Sequence, residues 1–181
     1  LAAGARLAAT ALVESLRQRL RAVAARVAVA RRRPRVLSLE CLRPLTAGGH
    51  WLSEMKMLAG GEDELAEPGS PAEQLRWERV LSYSPDVLVI VPCAPSLEAV
   101  LDEVHMLASQ PGWWMLKAVR EDEVYVADHA LFSRPGPRLV DGVELLARIL
   151  HPDLVPGPLP PRSCLKLELN GQRVRPKTVR A

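Results

Sequence analysis

The chain has 181 residues, 48% of them apolar and 25% charged, which suits one globular domain with extensions and a real core. Its net charge of +3 is unevenly spread: residues 1–35 hold nine Arg and one Glu, residues 162–181 hold six Lys or Arg and one Glu, and residues 36–161 carry a net −10. An acidic middle between basic ends excludes a nucleic-acid-binding body, and without a run of 18 apolar residues no transmembrane helix is expected.

Residues 5–30 read as a long helix. Leu12, Leu16, Leu20, Val23 and Val27 recur at intervals of three and four, and the rest is mostly Ala and Arg. The same Arg-rich, acid-poor composition also fits an organellar transit peptide. Arg31-Arg32-Arg33-Pro34 ends the helix. Residues 35–40 form a first strand, and residues 41–49 a loop. A helix over 50–58 opens after Gly48-Gly49 and stops at Gly60-Gly61. Glu62-Asp63-Glu64 begins an acidic, turn-rich stretch to Pro71, expected to be a solvated face.

Residues 72–82 are predicted helical and lead into the central strand. Val87 to Val91 is an unbroken apolar run, as in a strand covered on both faces. Pro85 ends the helix before it and Pro92 ends the strand itself. Ser96 is a predicted N-cap for a helix over 97–109, with Leu97, Val100, Leu101, Val104 and Leu107 inward. Pro111-Gly112 breaks the chain before a short helix over 113–119. Residues 124–128 are a third strand, 129–137 a loop, and 138–150 the last helix, with Leu139, Val143 and Leu146 inward. From Pro152 prolines crowd the chain, so 152–181 reads as a Pro-rich basic tail, in which 164–169 is an edge strand or nothing. The order predicts an α/β fold: a three-layer Rossmann-like unit with a small parallel sheet, preceded by a long helix.

Ligands in such sheets sit beyond the carboxyl ends of the strands. The loops there contain Cys41, Gly49, His50 and Trp51 after the first strand and Cys93 after the second. After the third come Asp128, His129, Phe132, Ser133 and Arg134. Aromatic rings can stack on a large planar ligand, and Arg134 can pair with a carboxylate or phosphate. Each has a plainer reading. Trp51 anchors its helix, Trp77 packs, His50 and His129 are hydrogen-bonded rather than metal ligands, and Arg134 and Arg138 orient the last helix. Cys93 has the place of a nucleophile, but no base stands at a recognisable spacing. Gly48-Gly49 before a helix can hold an anion, but no Lys-Ser/Thr follows, so it is not a Walker loop. The three cysteines, Cys41, Cys93 and Cys164, have neither disulfide-framework nor zinc spacing.

Several patterns in order resemble one family. They are Gly49-His50-Trp51, Leu58-Ala59-Gly60-Gly61-Glu62, Gly69-Ser70-Pro71 with Trp77-Glu78-Arg79-Val80, and Ser84-Pro85-Asp86-Val87 through Pro92-Cys93. Then come Gln110-Pro111-Gly112-Trp113, Val124-Tyr125-Val126-Ala127-Asp128, and Phe132-Ser133-Arg134-Pro135-Gly136-Pro137-Arg138 through Asp141. Over about residues 35–152 they resemble the periplasmic substrate-binding proteins of iron-siderophore and vitamin B12 ABC importers, with the cobalamin-binding branch as the best likeness.

That resemblance implies two α/β lobes joined by a rigid helix, with ligand between them. Here it covers the joining helix (1–34) and the C-terminal lobe (35–151). The chain begins at Leu1, so the expectation is a piece whose first lobe lies upstream, or a remnant. The resemblance also implies a ligand such as cobalamin, a ferric siderophore or haem, with no cofactor and no catalysis. Glu78 matches the place of a surface Glu that pairs with Arg residues of the ABC permease, and the acidic middle suits such docking. A bacterial member would be periplasmic or anchored outside, whereas an organellar or cytoplasmic place stays open for a eukaryote. The rival readings are an interaction scaffold that kept the fold and an α/β enzyme using Cys93 or His129.

Overall fold

A computed structural model describes residues 3–92, 100–169 and 175–176. The helix expected over 5–30 is α1 (Ala3–Val27). Only its second half is packed. Val23 and Val27 are buried, while Leu7 and Leu12 on the first half are exposed. The docked half lies against α6 (Arg138–Leu150), where Arg19 donates to both oxygens of Glu144 at 2.8 and 2.9 Å and to Asp141 at 2.5 Å.

The three expected strands are β1 (Val36–Leu42), β4 (Val87–Ile90) and β5 (Val124–Ala127), and they pair in parallel, β1 with β4 and β4 with β5. Their side chains alternate between two cores, as the period of two requires. Leu37, Leu39, Leu88, Ile90, Val124 and Val126 face α3 (Trp77–Tyr83), α4 (Leu101–Ala108) and α5 (Lys117–Arg120). Val36, Val87, Val89, Tyr125 and Ala127 face α1, α2 (Leu52–Leu58) and α6. This is the three-layer α/β arrangement that continuous apolar strands demand.

The sheet is wider than the three strands read from the sequence. Its order is β3-β2-β1-β4-β5-β6-β7, with antiparallel strands at both flanks. β2 (Leu45–Ala47) folds back on β1 as a hairpin, and β3 (Glu73–Gln74) pairs with β2. The helix expected over 72–82 therefore starts only at Trp77: Glu73 and Gln74 are in the sheet, and the Leu75 amide donates to the Leu45 carbonyl at 2.8 Å. Trp77 packs, as its plainer reading has it, stacking on buried Trp113 at 6.3 Å between centroids and donating to the Pro111 carbonyl at 2.7 Å.

The stretch set aside as a tail also enters the sheet. β6 (Cys164–Glu168) runs antiparallel to β5, β7 (Arg175–Pro176) pairs with β6, and Leu167 and Val155 are buried. Proline density ends at Pro161, and the Leu165–Leu167 alternation after it is enough for an edge strand. The loop expected over 129–137 begins with a short 3-10 turn, His129–Leu131. Ser96 and Leu97 lie outside the described residues; the rest of their predicted helix buries Val100, Val104 and Leu107.

Candidate functional site

The parallel strands end on one rim. The Val91 amide donates to the Leu39 carbonyl at 2.8 Å, which carries the β1–β4 pairing to the last turn before Pro92. On β1, Ser38 follows Val36 on the face toward α2 and α6, and Glu40, where the pairing with β2 shifts register, stays on that side: its Cγ and Ser38 Oγ both lie within 3.4 Å of where a Gly48 β-carbon would stand. Cys93 lies outside the described residues.

The first loop of the rim, residues 48–51, is held by backbone. The Gly48 amide donates to the Ser38 carbonyl at 2.9 Å. His50 has φ 55°, its amide donates to the Ser70 carbonyl at 2.6 Å, and its carbonyl accepts from the Gly69 amide at 2.9 Å. A β-carbon on Gly49 would collide with the backbone of Pro71 and Ala72. Gly49 thus serves close backbone approach, and it sets where His50 and Trp51 stand. Gly49→Ala is expected to lower stability by about 1–3 kcal/mol, the usual cost of overpacking against atoms that cannot rotate away. A urea melt checks this; an unchanged midpoint would mean that residues 69–72 yield freely.

Two of the rim loops are tied together. Trp51, half-buried ahead of α2, donates its indole N–H to the Phe132 carbonyl at 2.5 Å. Phe132 itself is 1% exposed and packs in the core under α6. Its ring is therefore not a surface on which a ligand can stack; what it offers the rim is its carbonyl. The exposed His50 ring lies 5.8 Å from that of Trp51, tilted by 37°.

In the loop after β5, Asp128 accepts from the Ala130 amide at 2.9 Å and from Arg138 at 3.2 Å, which fixes the start of α6. Ser133 is half-buried and Arg134 exposed. His129 is half-buried, and its Nδ1 is closed off from solvent with no hydrogen-bond partner among the described residues.

Glu40 is the rim residue that motif reading missed. Burial pushes its carboxyl above the usual range, and the charges of His50, His129 and Lys56 pull it partly back. The rim thus carries two half-buried carboxylates, Glu40 and Asp128, and two imidazoles from three separate stretches of chain. The signal was present in the sequence: Val-Leu-Ser-Leu-Glu puts a charged residue in register with the covered face of a buried strand.

Beneath the rim, Lys56 of α2 is 2% exposed, pairs with the Asp63 carboxylate and donates to Ser38 Oγ at 3.0 Å. The acidic run at 62–64 is therefore not uniformly solvated, because Asp63 turns its side chain inward. Burial lowers the Lys56 pKa, against the attraction of Asp63.

Other chemistry is sparse. Cys41 is a free thiol that donates to the Arg43 carbonyl at 3.1 Å, and burial pushes the free Cys164 up to about 11. Among the described residues no group of three His, Cys, Asp or Glu side chains could hold a metal ion. No described helix is long and apolar enough to cross a membrane. Glu78 is exposed in the first turn of α3.

Comparison with known proteins places this geometry. The periplasmic binding protein family matches residues 2–131. The vitamin B12-binding protein of Vibrio cholerae is 32% identical over 108 residues, 58% of this chain and 35% of that protein. The ABC-type Fe3+-hydroxamate transport system structure from Saccharomonospora viridis aligns with a TM-score of 0.66 at 30% identity, covering 79% of this chain and 49% of that one. A periplasmic heme binding protein of Pseudomonas aeruginosa aligns with a TM-score of 0.69 at 25% identity, covering 80% and 53%. The chain thus spans about a third of the first relative and about half of each solved chain. The chain belongs to the periplasmic binding protein family.

Proposed function

We propose that this chain forms the second α/β lobe and the joining helix of the solute-binding component of an ABC importer, taking a corrin, a haem or a ferric siderophore. The observation that carries the reading is the strand-end rim. Three parallel strands end beside Trp51, His50, Glu40 and His129, on a chain whose relatives are named for B12, heme and Fe3+-hydroxamate. In this reading α1 is the joining helix. Its second half docks on α6, and its exposed first half, with Leu7 and Leu12, leads away from the lobe. The face of Trp51 and the exposed His50 and Arg134 meet the ligand, with Phe132 supporting Trp51 from below. Glu78 faces a cationic patch of the permease, where a rim charge sets encounter rate and orientation. The place of action is the periplasm or the outer surface of a bacterium.

Titration calorimetry of this chain with cyanocobalamin, haemin and ferrioxamine tests the reading. One lobe buries less of a ligand than the 70–90% of a closed pocket, so Kd is expected at roughly 10 μM or weaker. Saturable binding of any of the three supports the proposal. No heat with all three overturns ligand binding by this chain.

A further inference from the structure

We propose that Glu40, whose methylene lies against Gly48 in the loop that leads to His50, is the polar anchor of the ligand site, and that it selects a ligand turning amide or hydroxyl hydrogens rather than carboxylates toward the sheet. The inference rests on the solute-binding reading and names the ligand chemistry of that same rim.

Glu40 lies near the end of β1 on the side of α2, and its methylene packs against Gly48, where an added β-carbon would stand 3.4 Å from it. It is half-buried, at the place where ligands of open α/β sheets sit. The charged and titratable groups whose charges act on it are His50 from the loop before α2, His129 from the loop after β5, and Lys56 from α2. Lys56 is already committed to Asp63 and Ser38, so it is not free to neutralise a ligand. His129 keeps a ring nitrogen without a hydrogen-bond partner among the described residues.

A carboxylate only accepts hydrogen bonds. In a partly desolvated position it rewards N–H and O–H donors strongly and repels a second carboxylate. Arg134, exposed in the loop after β5, is the cation on hand for an anionic group, and it stands on another stretch of chain. The corrin periphery carries carboxamides, whereas the haem edge carries two propionates. Among the ligands proposed above, the rim therefore favours the corrin, oriented with carboxamide N–H groups on Glu40.

The test compares cyanocobalamin with cobyrinic acid, the corrin whose side chains are carboxylates, and with haemin, on the chain as it stands and on Glu40→Gln. With Glu40 in place, cyanocobalamin is expected to bind about tenfold or more tighter than either carboxylate ligand, the scale of one charged hydrogen bond. In Glu40→Gln, which keeps shape and removes charge, the gap is expected to close to about threefold, mainly by tighter binding of the carboxylates. Glu40→Asp, which keeps the charge, is expected to retain the preference. Equal affinities in the unsubstituted chain, or a gap that Glu40→Gln leaves intact, would overturn this inference and leave the solute-binding reading standing. Absence of binding by every probe would overturn both.

Discussion

Asp63→Ala is expected to cost about 3–5 kcal/mol of stability, because it leaves the Lys56 ammonium buried without its counter-charge. The Lys56 side chain is 3% exposed and that of Asp63 1%, with Ser38 Oγ as the remaining partner at 3.0 Å. Removing both charges is a different experiment. Lys56→Met with Asp63→Leu replaces the pair by apolar groups of similar volume, and most of the loss is expected to return. The pH dependence identifies the cause. Burial already lowers the Lys56 pKa, and without Asp63 it falls further. The unfolded chain then binds its proton up to about pH 10.4, while the folded chain releases it earlier. Over that window the unfolded state holds more protons, so stability rises with pH. The deficit of Asp63→Ala should therefore shrink between pH 7 and pH 9.5, as read from urea unfolding at each pH. A loss below about 1 kcal/mol that ignores pH would mean the pair is solvated in solution.

The central strands were legible because their sequences admit little else. Val-Leu-Val-Ile-Val between two prolines cannot make a long helix, and it has no polar face to show to water. The last helix was legible for a related reason: its apolar residues repeat at three and four, and it starts at Arg138 and ends at Leu150 as the pattern requires. The flanking strands were not, and the reason is length. β3 has two residues and β2 has three, too few for periodicity to register, and each exists only because the other edge is already in place. The 72–76 segment shows this well. Alone it reads as the first turn of a helix; beside the β1–β2 hairpin its amides find the sheet first.

The site divides along the same line. Gly49, His50 and Trp51 could be placed on the rim because a Gly-Gly before a helix near a strand end is a local signal. Phe132 could be placed in the right loop but not in the right layer, since whether a ring at a loop points out or in depends on α6 packing above it. Asp63 was masked by its neighbours. A run of three acids looks solvated, and only Lys56, seven residues earlier and across a loop, turns the middle one inward. Glu40 shows the complementary failure, a residue whose strand register was plain but whose neighbours His50 and His129 come from distant loops.

Asp86 is where an acid limb in stability should be seen. The Ser-Pro-Asp turn before β4 buries this carboxylate to 8% exposure, where it accepts from the Arg35 amide at 2.8 Å, from Lys117 at 2.8 Å and from Arg32 at 2.5 Å. Burial alone would push its pKa up; the bonds from Lys117, the Arg35 amide and Arg32 outweigh that and hold it at about 2. A carboxylate depressed in the folded state contributes stability that is present above its unfolded pKa, near 3.9, and is lost as pH falls through the folded value. The contribution is on the order of 2 kcal/mol, lost progressively between about pH 5 and pH 2. Asp86→Asn keeps the shape and removes the charge, so at pH 7 it should be less stable by about 2 kcal/mol, and the difference from the unsubstituted chain should vanish toward pH 2. Arg32 and Arg35 both lie between α1 and β1, so Asp86 also ties the end of the long helix to the sheet and to α5. Loss of the tie should be seen as faster amide exchange across residues 28–35 at pH 7, while the Arg19 bonds keep α1 on α6. Urea unfolding at steps from pH 7 to pH 2.5 reads the first effect. Parallel acid limbs for the two proteins would mean that Asp86 titrates normally, and that the joint between helix and sheet is held by apolar packing alone.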